Sequence, residues 1–181
     1  MKKIFAILAL AITGTAFAAD SFTVEGQHIN NAGAAAQQQY VLGVKKEFGS
    51  FAGDLAFSNA QTEGTNALST RLEAGATVAG PLGLYARAAV GQKYSNTTDF
   101  TYYSVEPGIA AAVPGVAGLT AKFGYRFRSA FDGSQNNDQT QTARYSLAYA
   151  LSKDDTVAVK YDRVKGDNNQ KIIAVAYTRG F

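Results

Sequence analysis

Apolar and polar residues alternate with a period of two through nearly the whole chain beyond residue 20. The clearest stretch runs from Leu119 to Arg128. There Leu119, Ala121, Phe123, Tyr125 and Phe127 alternate with Thr120, Lys122, Gly124, Arg126 and Arg128. A period of two sends successive side chains to opposite faces, so this stretch predicts a β-strand between two unlike environments. The same pattern predicts strands over 21–29, 38–48, 51–59, 68–79, 83–94, 100–113, 142–151, 156–164 and 171–181. That makes ten, with eight as the alternative count. No segment carries a helical period. Pro107 falls inside the sixth strand, where it cannot donate to a ladder, so a bulge or local bend is expected there.

The connections alternate as well. Those at Gly49-Ser50, Gly80-Pro81, Pro114-Gly115 and Ser152 to Asp155 are short, whereas those after the odd strands tend to be longer and rich in Asn, Gln, Thr and Asp, as from Asp132 to Gln139. Short turns at one end and polar loops at the other are the pattern of a membrane barrel. The two faces of the strands sharpen this. One carries Leu, Val, Ile, Phe and Tyr, with aromatics set towards the strand ends. Phe22, Phe48, Phe51 and Phe181 fall on the turn side, and Tyr40, Phe57, Tyr94, Phe127, Tyr145 and Tyr161 on the loop side. The other face mixes charge with Gly and Ala. Small residues do little on a solvated surface, but in a narrow lumen they make room for Arg and Lys. The apolar face therefore looks into lipid, between two aromatic girdles. The rival arrangement is a soluble, lipocalin-like barrel, whose ligand-filled interior would be apolar.

The C-terminal strand continues to the last residue, with Ile173, Val175, Tyr177, Arg179 and Phe181 on its large face. Ile173, Val175, Tyr177 and the terminal Phe181 resemble the final strand of bacterial outer-membrane β-barrels, of the porin-like and OmpX-like kind. Arg179 departs from that pattern, and a side chain of its length can snorkel to water. The resemblance implies that these residues form the assembly signal read by the barrel insertion machinery, with periplasmic chaperones as further partners. The expected fold class is all-β, a closed antiparallel up-and-down transmembrane barrel, with outer-membrane lipid around it. An even strand count puts both termini in the periplasm.

The N-terminus fits export. Lys2 and Lys3 precede an apolar run from Ile4 to Ile12, and Ala16-Phe17-Ala18 has the small-x-small form of a signal cleavage site. The uncharged stretch from Ile4 to Ala19 is shorter than the roughly 20 apolar residues of a spanning helix. The expected division is a signal peptide over 1–18, cleaved between Ala18 and Ala19, and a barrel domain over 19–181. The formal charge of +3 comes from 17 Lys+Arg against 14 Asp+Glu. Losing Lys2 and Lys3 reduces it to +1, and no basic run remains to suggest a nucleic-acid partner. The chain has no cysteine, which excludes a disulfide scaffold.

Candidate chemistry then lies in the lumen. Strand parity places Lys45, Arg71, Arg87, Lys93, Lys122, Arg126, Arg128, Arg144 and Lys160 there, facing Glu25, Glu47, Asp54, Glu73, Glu106 and Asp162. Confined charges must pair or stay hydrated. Two functions remain open: a narrow porin-like channel for small hydrophilic or anionic solutes, and a plugged structural or adhesion barrel acting through its loops. A barrel enzyme is a third class, but His28 is the single histidine, its parity points it towards lipid, and no Ser or Asp partner is evident. No cofactor or catalytic residue is expected. No His/Cys metal cluster or phosphate loop is present, and the Asp132 to Asp138 spacing matches no EF-hand.

Overall fold

The computed structural model describes residues 20–65, 67–95, 99–132, 139–167 and 169–181. The leader with its Ala18/Ala19 junction and loop residues 133–138 lie outside the described residues. Ten strands follow one another: β1 (Ser21–Asn31), β2 (Gln37–Phe48), β3 (Phe51–Thr62), β4 (Leu68–Ala79), β5 (Leu84–Ser95), β6 (Phe100–Ala112), β7 (Leu119–Ala130), β8 (Thr140–Ala150), β9 (Asp155–Gly166) and β10 (Gln170–Gly180). Each pairs antiparallel with the next, and β10 pairs with β1 to close the barrel. The count is ten, not eight.

The strands are tilted. Stepping from partner to partner, Asn31 at the loop end of β1 leads to Gln170, Val164, Thr142 and Arg126. Beyond β6 the same path runs through Arg87, Thr77, Ala52 and Glu47, at the turn end of β2. Such a stagger is what closure of a barrel requires.

Three expectations need correction. Several strands extend further at the loop end than the alternation predicts, because Asn, Gln and Thr there continue the ladder instead of leaving it. Gln37 Nε2 donates to Thr62 Oγ1 at 3.2 Å, and Gln170 Nε2 to Asn31 Oδ1 at 2.7 Å. Pro107 makes no bulge. The β6–β7 partners lapse between Val105↔Phe127 and Gly108↔Gly124, and pairing resumes in the same register. The missing donor costs ladder contacts without adding a residue. Finally, Tyr145 and Tyr161 are not loop-side residues. They lie mid-strand and continue an aromatic row from Phe123, with ring centroids 5.1 Å and 6.3 Å apart.

Polarity is inverted relative to a water-soluble protein. Val90, Val105, Phe123, Leu147, Val159, Ile173 and Val175 are exposed on the outer face, whereas Glu25, Glu73, Glu106 and Asp162 are buried inside. Water outside such a wall would be costly and hydrocarbon is not, so the distribution is that of a transmembrane barrel. The turns are tight. Phe48 and Phe51 pair directly across Gly49-Ser50. Gly83 has a φ of 76°, and a Cβ there would overlap the Ala110 carbonyl. At the turn rim, the Phe181 N–H donates to the Asp20 carbonyl at 3.1 Å and its ring stays exposed.

Candidate functional site: the barrel lumen

Inward residues from all ten strands line one cavity of about 1350 Å³. Its lining runs from Asp20, Lys153 and Asp154 at the turn end to Ala34, Asp167 and Asn169 at the loop end. Lys45, Arg71, Glu73, Arg87, Lys93, Glu106, Lys122, Arg126, Arg128, Arg144, Lys160 and Asp162 all line it, as do Glu25, Glu47 and Asp54.

Their pairing follows a simple rule. Arg87 Nη2 lies 2.6 Å from Asp54 Oδ2 and 2.8 Å from Glu73 Oε1. Arg144 reaches Glu106 Oε2 at 2.9 Å and Asp162 Oδ2 at 3.1 Å. Lys160 bonds Glu25, and Lys45 bonds Glu47. These six carboxylates, all on strands between the rims, are thus engaged by four cations. Among the described residues, no ion pair joins Arg71, Lys122 or Arg126 to a carboxylate. Each of these pairs lies within one strand, between two neighbours, or between strands with one between them. A pair plugging the bore would have to join opposite walls, and none among the described residues does. Lys122 is exposed inside the lumen and faces Lys45 and Lys160 within electrostatic range.

Two inward tyrosines complete the wall, and neither was picked out from the sequence as part of the charge chemistry. Tyr102 is completely buried. Its hydroxyl donates to Glu73 Oε2 at 2.8 Å, and the Arg71 and Arg128 guanidinium carbons lie 5.5 Å and 5.2 Å from its ring centroid. Both arginines are positioned by cation–π contact as well as by their strands. Tyr85 donates to Glu106 Oε1 at 3.1 Å. Each ring occupies the space above a glycine on an adjacent strand. A Cβ on Gly91 would overlap Tyr102, and one on Gly108 or Gly124 would meet Tyr85. The signal for these seats is an inward Gly facing an inward Tyr, which becomes visible only once the register is known.

The other singled-out residues lie elsewhere. Ile173, Val175 and Tyr177 face outwards on β10. Tyr177 donates to Asp155 Oδ1 at 2.5 Å, and Arg179 Nη1 lies 3.5 Å from the same oxygen. His28 sits on the outer wall, with its Nδ1 2.8 Å from Gln38 Nε2.

No protein-family model matches the sequence, and no curated protein matches it. Among solved structures, the fold is similar to that of the NanC porin, with a TM-score of 0.57 and 8% identity over 88% of this chain and 100% of the other. It is also similar to the translocator domain of the autotransporter NalP from Neisseria meningitidis, with a TM-score of 0.52 and 9% identity over 97% of this chain and 95% of that one. At such identities the likeness establishes a shared barrel fold and nothing about what passes through it.

Proposed function

We propose that this barrel is an outer-membrane channel, narrow and water-filled, that favours small hydrophilic and anionic solutes. One observation carries the reading: between the two rims, all six strand carboxylates of the lumen are engaged along the wall by four cations, while Arg71, Lys122 and Arg126 join no ion pair among the described residues. Fixed positive charge in a low-dielectric tube raises the local anion concentration. The plugged-barrel alternative requires side chains that meet across the bore, and the lumen pairs named above run along its wall instead. The test is single-channel recording of the refolded protein in a planar bilayer under a potassium chloride gradient. The expected result is a conducting pore whose reversal potential favours chloride. A folded barrel with no conductance would overturn the channel and leave the structural or adhesion role.

The same reading takes residues 1–18 as a signal peptide, cleaved before Ala19, and both termini as periplasmic. It takes Ile173, Val175, Tyr177 and Phe181 as the signal for the insertion machinery. Support comes from the outward apolar ladder on β10 and the exposed terminal ring. Deleting Phe181 should lower the outer-membrane yield and leave periplasmic aggregates. An unchanged yield would remove Phe181 from the signal.

A further inference from the structure

The outer wall is apolar along most of its height, yet its charges are partnered differently at the two ends. At the turn end the outward cations have acids beside them. Lys46 Nζ lies 2.8 Å from Asp20 Oδ1, and Arg179 Nη1 lies 3.5 Å from Asp155 Oδ1. At the loop end, outward parity leaves Arg163 and Lys165 on β9 and Lys171 on β10, all three exposed. Arg163 and Lys171 are register partners, so two cations stand directly opposite each other on one face. Lys165 is one outward position further along β9, opposite Gln141. Among the described residues, no ion pair or side-chain hydrogen bond engages any of the three. The outward strand positions of the loop half carry no acid among the described residues either. Like charges directly opposite on a sheet are destabilising, so this pair is costly unless an anion from outside the chain lies beside it.

Position identifies the anion. The next outward residues towards the turn end are Tyr161 and Val159 on β9 and Ile173 and Val175 on β10, all exposed on the lipid-facing wall. The three cations therefore stand where the apolar band ends, at the level of the headgroups. An anion that also carries acyl chains would set its charge against Arg163 and Lys171 and its hydrocarbon against Ile173, Val175 and Val159. We infer that Arg163, Lys165 and Lys171 form a docking surface for the phosphate of an anionic lipid headgroup, in the leaflet at the loop end. A planar guanidinium presents paired N–H groups that match two phosphate oxygens, and the two ammonium groups add flexible donors around it. Ala143, the partner of Arg163 on β8, is too short to crowd the guanidinium. This goes beyond the channel reading and rests on the lipid-facing wall, not on conduction through the lumen.

The test uses the refolded full barrel in detergent micelles, with phosphatidic acid and phosphatidylcholine as probes and native mass spectrometry counting the bound lipid. Phosphatidylcholine carries the phosphate without net charge. The expected result is tighter binding of phosphatidic acid. A basic residue beside an anionic lipid contributes about a fivefold preference, so Arg163→Gln should weaken phosphatidic acid about fivefold. R163Q, K165Q and K171Q together should bring it level with phosphatidylcholine. Lys46→Gln, at the turn end, should leave the affinity unchanged. A stability assay reads the same surface in a bilayer. Relative to the native protein, Arg163→Gln should unfold at the same or higher urea in phosphatidylcholine vesicles, and at lower urea once phosphatidic acid is mixed in. Phosphatidic acid binding undiminished in the triple variant, or diminished equally by Lys46→Gln, would overturn the surface. Inorganic phosphate that displaces the lipid at equal concentration would overturn the lipid as occupant. Failure of the channel is read separately, because a barrel that binds phosphatidic acid without conducting keeps the surface and loses the pore.

Discussion

The two walls of the lumen are built differently. Strands β4 to β8 carry Arg71, Arg87, Lys93, Lys122, Arg126, Arg128 and Arg144 against two acids, Glu73 and Glu106. The opposite wall, β9, β10 and β1 to β3, carries Lys45 and Lys160 against Glu25, Glu47, Asp54 and Asp162. The inward face of β10 has no charge at all, being Gln170, Ile172, Ala174, Ala176, Thr178 and Gly180. A positive wall facing a mildly acidic one sets a field across the bore as well as along it. The aromatic seats follow the same division, since Tyr85 and Tyr102 both pack on the basic wall. Crowded charge thus comes with rings and glycines that fit around it, and the quiet wall does without them.

Removing an acid from the crowded wall should have the largest effect. Glu73→Gln leaves Arg87 with Asp54 alone and removes the attraction between Glu73 and Arg126, among groups that are largely shielded from water. Breaking a buried pair from one side costs about 3–5 kcal/mol, and water in the lumen places this variant at the low end of that range. Urea unfolding in lipid vesicles measures it, and a loss below about 1 kcal/mol would show that the wall is hydrated rather than interlocked. On the quiet wall, Thr178→Val removes the hydrogen bond between the Thr23 and Thr178 hydroxyls, which is 2.8 Å long. The expected loss is about 1 kcal/mol in the same assay. An equal cost for the two variants would erase the distinction between the walls. Lys122→Gln should change stability least, by about 0.5 kcal/mol or less, because no ion pair among the described residues depends on it. It should nonetheless shift the reversal potential towards cations, and an unmoved potential would show that permeating ions do not sample the basic wall.

Much of this architecture is legible in the sequence, because period-two alternation is local. Lys122, Arg126 and Arg128 announce one face of β7 without any knowledge of its neighbours. What stays hidden is long-range. Arg144 meets Glu106 on β6 and Asp162 on β9 only because two strand registers agree. Tyr102 fits over Gly91 for the same reason. Strand ends at the loop side are hidden too, since Gln37 and Thr62 have loop-like composition yet complete a ladder in water. The misplacement of Tyr145 has a related cause. Position along a strand is a distance along a tilted line, and only the neighbours reveal which rings stack beside it.

Lys160 on β9 reaches over β10 to grip Glu25 on β1. The strand beneath this clasp presents Ala174 and Ala176 to the interior, so the long lysine side chain has room to pass over it. The seam where the newborn cylinder joins its own beginning is therefore secured by residues from the strands on either side of the last one.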